Sequence, residues 1–358
     1  MGGGLAGLTA ADALHRAGAS VRVIEARASV GGRLRTLSPE GLPEGTWFDL
    51  RATWHWTDQV AVRDLAADLG LESFPQYRDG AALVEDLPGA DPRPVTLPPL
   101  SPAELRFAGG AQGLCHRLAA RLPDGSVALG TEVVAIADDG RGVAVAAVGP
   151  DDDAATETRA DAVIVALPPR LATRLISFTP SLPQELVDVM QATPTWMATA
   201  LKCVAVYDSA FWRAAGRSGQ GLNLSGPLIE VHDACTDDLA AAALWGFVSF
   251  DHAYRDLEFD QRLDAVFAHL GRLFGEAAAD PAQYFERDWS NDPYTNDEVV
   301  WVGDLLPYGH PALAAPAFDG RLVWAGTETE RIGGGHMEGA VRSGQRAARH
   351  VLQGRSGG

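Results

Sequence analysis

Residues 2–7 read Gly2-Gly3-Gly4-Leu5-Ala6-Gly7, and residues 21–25 read Val21-Arg22-Val23-Ile24-Glu25. Gly2, Gly4 and Gly7 satisfy a G-x-G-x-x-G spacing at the start of an alanine-rich helical stretch, 5–17, which Gly18 ends. The first glycine permits a tight turn, the second lets backbone approach a pyrophosphate, and the third lets helix pack on strand. Free N–H groups and the positive dipole end of the helix favour phosphate there. Alone the pattern is weak, because glycine turns are common. Glu25 strengthens it, standing 18 residues after Gly7 at the end of a β-branched strand. A carboxylate in that place accepts hydrogen bonds from both hydroxyls of an adenosine ribose, and its charge disfavours a 2′-phosphate, so NADP is not expected. The plainer alternative is a strand-end charge with no ligand.

Two further stretches turn a generic dinucleotide loop into an expectation of FAD. Glu25-Ala26-Arg27 leads into Gly31-Gly32-Arg33, a second glycine turn whose arginine faces the pyrophosphate from the other side. NAD-only domains do not need that turn, and the combination points to FAD proteins of the glutathione-reductase-like superfamily. Near the far end, Trp324-Ala325-Gly326-Thr327-Glu328-Thr329, Gly333 to Gly335 and His336-Met337-Glu338-Gly339-Ala340 read as strand, loop and helix. That helix start is suited to a flavin pyrimidine carbonyl, stabilising negative charge on the reduced ring.

The rest of the chain is read around these anchors. Its 358 residues allow two domains, and 46% hydrophobic against 21% charged residues mark a globular protein. A net charge of −18 argues against a nucleic-acid partner and is compatible with cationic substrates, though a solvated surface explains it as well. Cys115, Cys203 and Cys235 have no metal-ligand spacing and read as free thiols in a reducing compartment. No apolar run reaches the roughly 18–20 residues of a membrane span, so no membrane anchor and a cytoplasmic location are expected. Periodicity predicts helices over 5–17, 60–69, 112–122, 260–275 and 337–352. It predicts strands over 21–25, 127–129, 132–136, 143–148, 162–167, 201–207, 240–249 and 321–324, with 88–102 a proline-rich extended connector.

Together the terminal motifs resemble those of the flavin-containing monoamine oxidase family, and the resemblance covers most of the chain. Supporting stretches are Phe48-Asp49-Leu50-Arg51-Ala52-Thr53-Trp54, Gly109-Gly110-Ala111-Gln112-Gly113-Leu114 and Phe178-Thr179-Pro180-Ser181-Leu182-Pro183. Lys202 through Tyr207 running to Phe211-Trp212-Arg213, and Asp288-Trp289, belong with them. The resemblance implies an α/β fold: a Rossmann-like FAD-binding domain from 1–56, 107–169 and 296–358, with a mixed-sheet substrate domain from 57–106 and 170–295. It implies that Ala6, Glu25, Arg27, Gly32, Arg33, Val133, Trp289, Gly326, Glu328, Gly335 and Met337 line FAD. Gly2, Gly4, Gly7, Ala26, Ala52, Thr53, Thr327 and His336 join that cofactor set. Val133 would offer backbone to adenine, and Trp289 would pack near the flavin or simply fill the core.

Departures from the family pattern bear on the chemistry. Where family members tether flavin through cysteine stands Glu298, which cannot form a thioether, so FAD is expected to be non-covalent. The paired tyrosines that flank the amine map onto Val299 and His336. His336 is a candidate to take the amine proton, and equally a histidine held by a backbone carbonyl. The family lysine that holds a water near the flavin falls at Leu175, beside Arg174. Lys202, the only lysine in the chain, is the second catalytic candidate, with a structural place at a solvent edge as the favoured alternative. Arg51 stands where the family carries glycine, so its side chain either crowds FAD or reaches its phosphates. The short stretch between Trp56 and Gly109 lacks the helical lobe that roofs larger members, which predicts a smaller or more open site.

The leading functional expectation is an amine oxidase that passes hydride from an amine to FAD and electrons to dioxygen, releasing hydrogen peroxide. A carbon-skeleton desaturase or dehydrogenase, and a non-catalytic FAD-fold protein, remain open. One feature cuts against tight cofactor binding: only Met1 precedes Gly2, so the strand that should lead into the glycine loop is missing. The expectation is a start further upstream, with Met1 at the strand's last position.

Overall fold

A computed structural model describes residues 1–87, 89–152, 154–223, 226–296 and 308–356, with backbone only at 355 and 356. A short parallel sheet carries the first glycine loop. Val23–Ile24 pairs with Val127–Ala128, and Val163–Val165 pairs with Leu322–Trp324, both in parallel. Met1 and Gly2 bridge the two halves. The Met1 amino nitrogen donates to the Ile164 carbonyl at 2.9 Å, Ala166 N–H donates to the Met1 carbonyl, and Gly2 N–H donates to the Ile24 carbonyl. The chain then turns into the helix Leu5–Arg16, which lies along the C-terminal helix Met337–Ser356. Glycine permits both close contacts here. A Cβ on Gly7 would sit 2.0 Å from the Gly2 carbonyl oxygen, and one on Gly344 would sit 2.4 Å from that of Ala6.

The apolar stripe of Leu5–Arg16 (Leu5, Leu8, Ala11) buries against Val62 and Leu65 of the helix Val60–Asp68 and Leu114 and Leu118 of the helix Gly113–Ala120. Beside the parallel sheet, Glu132–Asp138, Val143–Val148 and Thr156–Ala160 form an antiparallel meander, joined in parallel by Ser177–Thr179. A register shift between Val133 and Ala135 bends its first strand next to the glycine loops.

The larger sheet has seven strands, in the order Gln283–Asp288, Leu201–Tyr207, Ala242–Val248, Leu228–Asp233, Arg217–Asn223, Ala81–Glu85 and Arg93–Val95. It is mixed, because Arg217–Asn223 runs parallel to Ala81–Glu85. The proline-rich stretch expected to be only a connector thus contributes an edge strand, Arg93–Val95, the position at which a sheet tolerates Pro94. Along Leu201–Tyr207 the side chains alternate between two buried faces. Leu201, Cys203, Ala205 and Tyr207 pack under the helix Phe259–Phe274, while Val204 and Val206 meet Phe48 and Leu50. Lys202 shares the second phase. Among the described residues no helix is long and apolar enough to cross a membrane, and Cys115, Cys203 and Cys235 are buried and unpaired.

Candidate active site

The glycine loop, the second turn, the 50–54 stretch, the large sheet and the start of the C-terminal helix enclose one cavity of about 420 Å³, within the range of small-molecule and cofactor sites. At one end Gly4 is the extended N-cap of Leu5–Arg16 and makes no side-chain cap. The first N–H groups of that helix, at Leu5 and Ala6, therefore have no partner within the helix. Gly31 N–H donates to the Gly3 carbonyl at 2.9 Å, and a Cβ on Gly32 would stand 3.3 Å from the Gly4 Cα. The two turns leave a slot that a single side chain would fill.

Glu25 sits beside this slot and is 4% exposed. One carboxylate oxygen accepts from Gly3 N–H at 2.6 Å and the other from Arg27 N–H at 2.9 Å. Each oxygen keeps a further lone pair for a hydroxyl donor. Uncapped helix donors, glycines where the two turns approach and a fixed acceptor carboxylate are the set a dinucleotide requires, and the residues fit one. Two cations flank the slot. Arg33 makes a paired contact to Glu328 at 2.5 and 2.9 Å, and Arg27 donates to Asp292 at 2.5 Å and to Thr295 Oγ1 at 2.9 Å. Arg27 also lies over the ring of Tyr294, whose hydroxyl donates to Glu132.

Of the sequence-derived cofactor set, Gly2, Gly4, Ala6, Glu25, Ala26, Arg27, Gly32, Arg33, Ala52, Thr53, Val133 and Trp289 line the cavity. Gly326, Thr327, Gly335, His336 and Met337 line it as well. Gly7 and Glu328 do not. Gly7 is turned toward the Gly2 carbonyl and serves helix packing, and Glu328 is fully buried behind Arg33. Glu298 and Val299 lie outside the described residues. Leu175 lines the cavity.

The other end is built from the large sheet. Lys202 is fully buried, which corrects the expectation of a solvent edge: its strand is covered on both faces, and its phase points it at the cavity. Its Nζ donates to Thr53 Oγ1 and, at 3.1 Å, to the Arg51 carbonyl, and stands 3.9 Å from the centre of the Trp245 ring. Burial pushes the Lys202 ammonium down to about 7, against the pull of Asp49. Trp245 contacts Trp54, His232 and Phe247 in one aromatic cluster. Trp54, Trp245, Phe247, Trp196 and Glu230 all face the cavity, and the sequence reading had singled out none of them as site residues. The available signal was period two: Trp245 and Phe247 share the phase of the strand whose register partner at Phe247 is Lys202.

His336 is exposed at the edge of the cavity, with Nδ1 at 3.1 Å from the Gly334 carbonyl and its ring against the edge of Trp56. The structure thus provides the carbonyl contact and a place on the cavity wall together. Trp289 is buried, and its indole N–H donates to the Leu50 carbonyl at 2.9 Å.

Comparison with known proteins gives the family. The family model described as flavin containing amine oxidoreductase matches residues 5–102 and 95–352. A probable flavin-containing monoamine oxidase A of Dictyostelium discoideum is 24% identical, the match covering 98% of this chain and 96% of that protein. Putrescine oxidase of Kocuria rosea is 26% identical over 98% of this chain and 94% of its own length. A putrescine oxidase solved with putrescine bound superposes with a TM-score of 0.82 at 25% identity, covering 98% of each chain.

Proposed function

This chain belongs to the family of flavin-containing amine oxidoreductases, and we propose that it oxidises a small amine on non-covalently held FAD, with dioxygen as electron acceptor. The observation that carries the proposal is one continuous cavity joining the glycine slot to Lys202 and its aromatic wall. The slot at Gly4 and Gly32 would take the pyrophosphate, Glu25 the ribose hydroxyls, Val133 backbone the adenine, and Met337 the flavin end. When bound, FAD supplies the two-electron acceptance that amine oxidation needs. The amine becomes an imine that hydrolyses in water, and dioxygen leaves as hydrogen peroxide.

The chain's own residues bind, orient and handle protons. Trp54, Trp245 and Phe247 exclude water and offer π-faces to an amine. An amine nitrogen must be neutral for its α-C–H to be a hydride donor. Lys202 Nζ, brought to about 7 by burial, is divided between neutral and charged forms near neutral pH and so can hold or release a proton there. His336 is the second candidate, since a hydrogen bond donated from Nδ1 to the Gly334 carbonyl leaves the Nε2 lone pair free to accept one. The three buried thiols suit a cytoplasmic location.

The test has two parts. Acid precipitation of the yellow protein is expected to release FAD into the supernatant. The loaded protein is then expected to release hydrogen peroxide with at least one member of a panel of primary, secondary and polyamines. Flavin-loaded protein that stays silent across the panel while an apolar carbon skeleton reduces it would refute the amine reading.

A further inference from the structure

The strand Leu228–Asp233 runs beside Ala242–Val248 in the large sheet, and its side chains alternate between the two faces. Val231 packs in the core with Val266 and Leu270 of the helix Phe259–Phe274, which turns Glu230 and His232 to the opposite face. There Phe247 is the register partner of Glu230 on one side and of Lys202 on the other. Lysine, ring and carboxylate thus form one row across three strands, and all three line the cavity. The row spans two strand spacings, about 10 Å between the outer backbones. Lys202 Nζ is turned to Thr53 and the Arg51 carbonyl instead of to Glu230.

Glu230 has no cation to answer it. Among the described residues no lysine or arginine forms an ion pair with it, and its one such contact is His232 Nε2 at 3.4 Å. Burial pushes the His232 imidazole below its usual range, against the pull of Glu230, so this neighbour brings no charge near pH 7. A carboxylate in a protein wall is stabilised by a cation brought to it, and 32% of the Glu230 side chain stays open to receive one. The rings of Trp245 and Phe247 beside it favour a cation as well. The nitrogen that is oxidised must be neutral, whereas a carboxylate holds an ammonium in its charged form. The nitrogen that meets Glu230 is therefore not the one oxidised. We propose that Glu230 is the subsite for a second ammonium group of the substrate, so that this chain prefers amines carrying a second positive charge over monoamines of the same length. The proposal rests on the amine-oxidation reading and narrows its substrate class. The second ammonium takes no part in electron transfer and leaves unchanged on the product.

The experiment compares α,ω-diamines with n-alkyl monoamines of equal chain length on FAD-loaded wild type, E230Q and E230D. Loss of flavin absorbance without oxygen gives an apparent Kd and a limiting reduction rate for each amine. Wild type is expected to bind the best diamine about tenfold or more tighter than its monoamine, the worth of one charge-assisted contact. E230Q keeps the shape and removes the charge, and is expected to abolish about tenfold of that preference, with the loss in Kd and not in the limiting rate. E230D keeps the charge on a shorter stem and is expected to restore part of the preference. Equal loss on diamines and monoamines in E230Q would show a structural role and overturn the proposal. So would a wild type that binds both kinds of amine alike. Flavin-loaded wild type that no amine reduces would instead refute the amine reading on which the proposal rests.

Discussion

Replacing Lys202 by methionine tests the least expected feature of the site, a lysine held without exposure to water. Met keeps the length of the side chain and removes its charge, together with the contacts to Thr53 and the Arg51 carbonyl. Burial lowers Lys202 from its ordinary 10.5 to about 7. The unfolded chain then binds more protons than the folded one between those values, and the sign follows directly: folding stability rises with pH through that window. Below pH 7 both states are protonated and the full cost of burying the ammonium applies, on the order of 5 kcal/mol at about 1.4 kcal/mol per unit. Above pH 10.5 neither state is protonated and the cost vanishes. Between about pH 6 and 9 the contribution changes by roughly 3 kcal/mol. Urea denaturation of wild type and K202M at matched flavin occupancy is the assay. The difference in unfolding free energy, wild type minus K202M, is expected to climb toward wild type by that amount across the range. Parallel pH profiles would show that Lys202 titrates as an ordinary lysine, and with them would go the claim that it is a proton carrier near neutrality.

Two further substitutions separate scaffold from ligand contact. E328A leaves Arg33 without its buried counter-ion and is expected to cost about 2 kcal/mol, discounted because the Arg33 side chain is 24% exposed; an unshifted urea midpoint contradicts it. G7A places a Cβ 2.0 Å from the Gly2 carbonyl oxygen and is expected to lose about 1–3 kcal/mol and weaken FAD binding. G354A, in a helix where a Cβ meets nothing within 4 Å, should instead gain up to about 1 kcal/mol, and a loss there would show that glycine packing is not the cause.

The glycine end of the site was legible because its parts are local in sequence. Turn, helix start, strand and strand-end carboxylate fall within 2–33, where spacing alone fixes which groups meet. The C-terminal helix was readable for the same reason. The lysine end was not. Leu201–Tyr207 is buried on both faces, so no polar face marks its phase, and Lys202 reads as a stray charge until the strand is paired. Its neighbours Trp245 and Thr53 are brought to it by register and by packing across some 43 and 149 residues. Asp292 and Thr295 escaped notice likewise, because their partner Arg27 lies more than 260 residues away.

The 50–54 stretch joins the two ends, and its hydrogen bonds explain why changes there should reach both. The Leu50 carbonyl accepts from Trp289, the Arg51 carbonyl accepts from Lys202, and the Arg51 side chain holds the carbonyls of Trp196 and Met197. Thr53 Oγ1 accepts from Lys202 and donates to the Arg51 carbonyl. Backbone and side chain of one residue therefore tie different segments together: the carbonyl fixes the buried lysine, and the guanidinium holds the 196–197 carbonyls and lies against the Trp289 ring. A glycine at 51 could supply the first contact but not the second. The second is separable by experiment, because R51M removes the guanidinium charge and R51K keeps the charge but not the fork, while both keep the carbonyl.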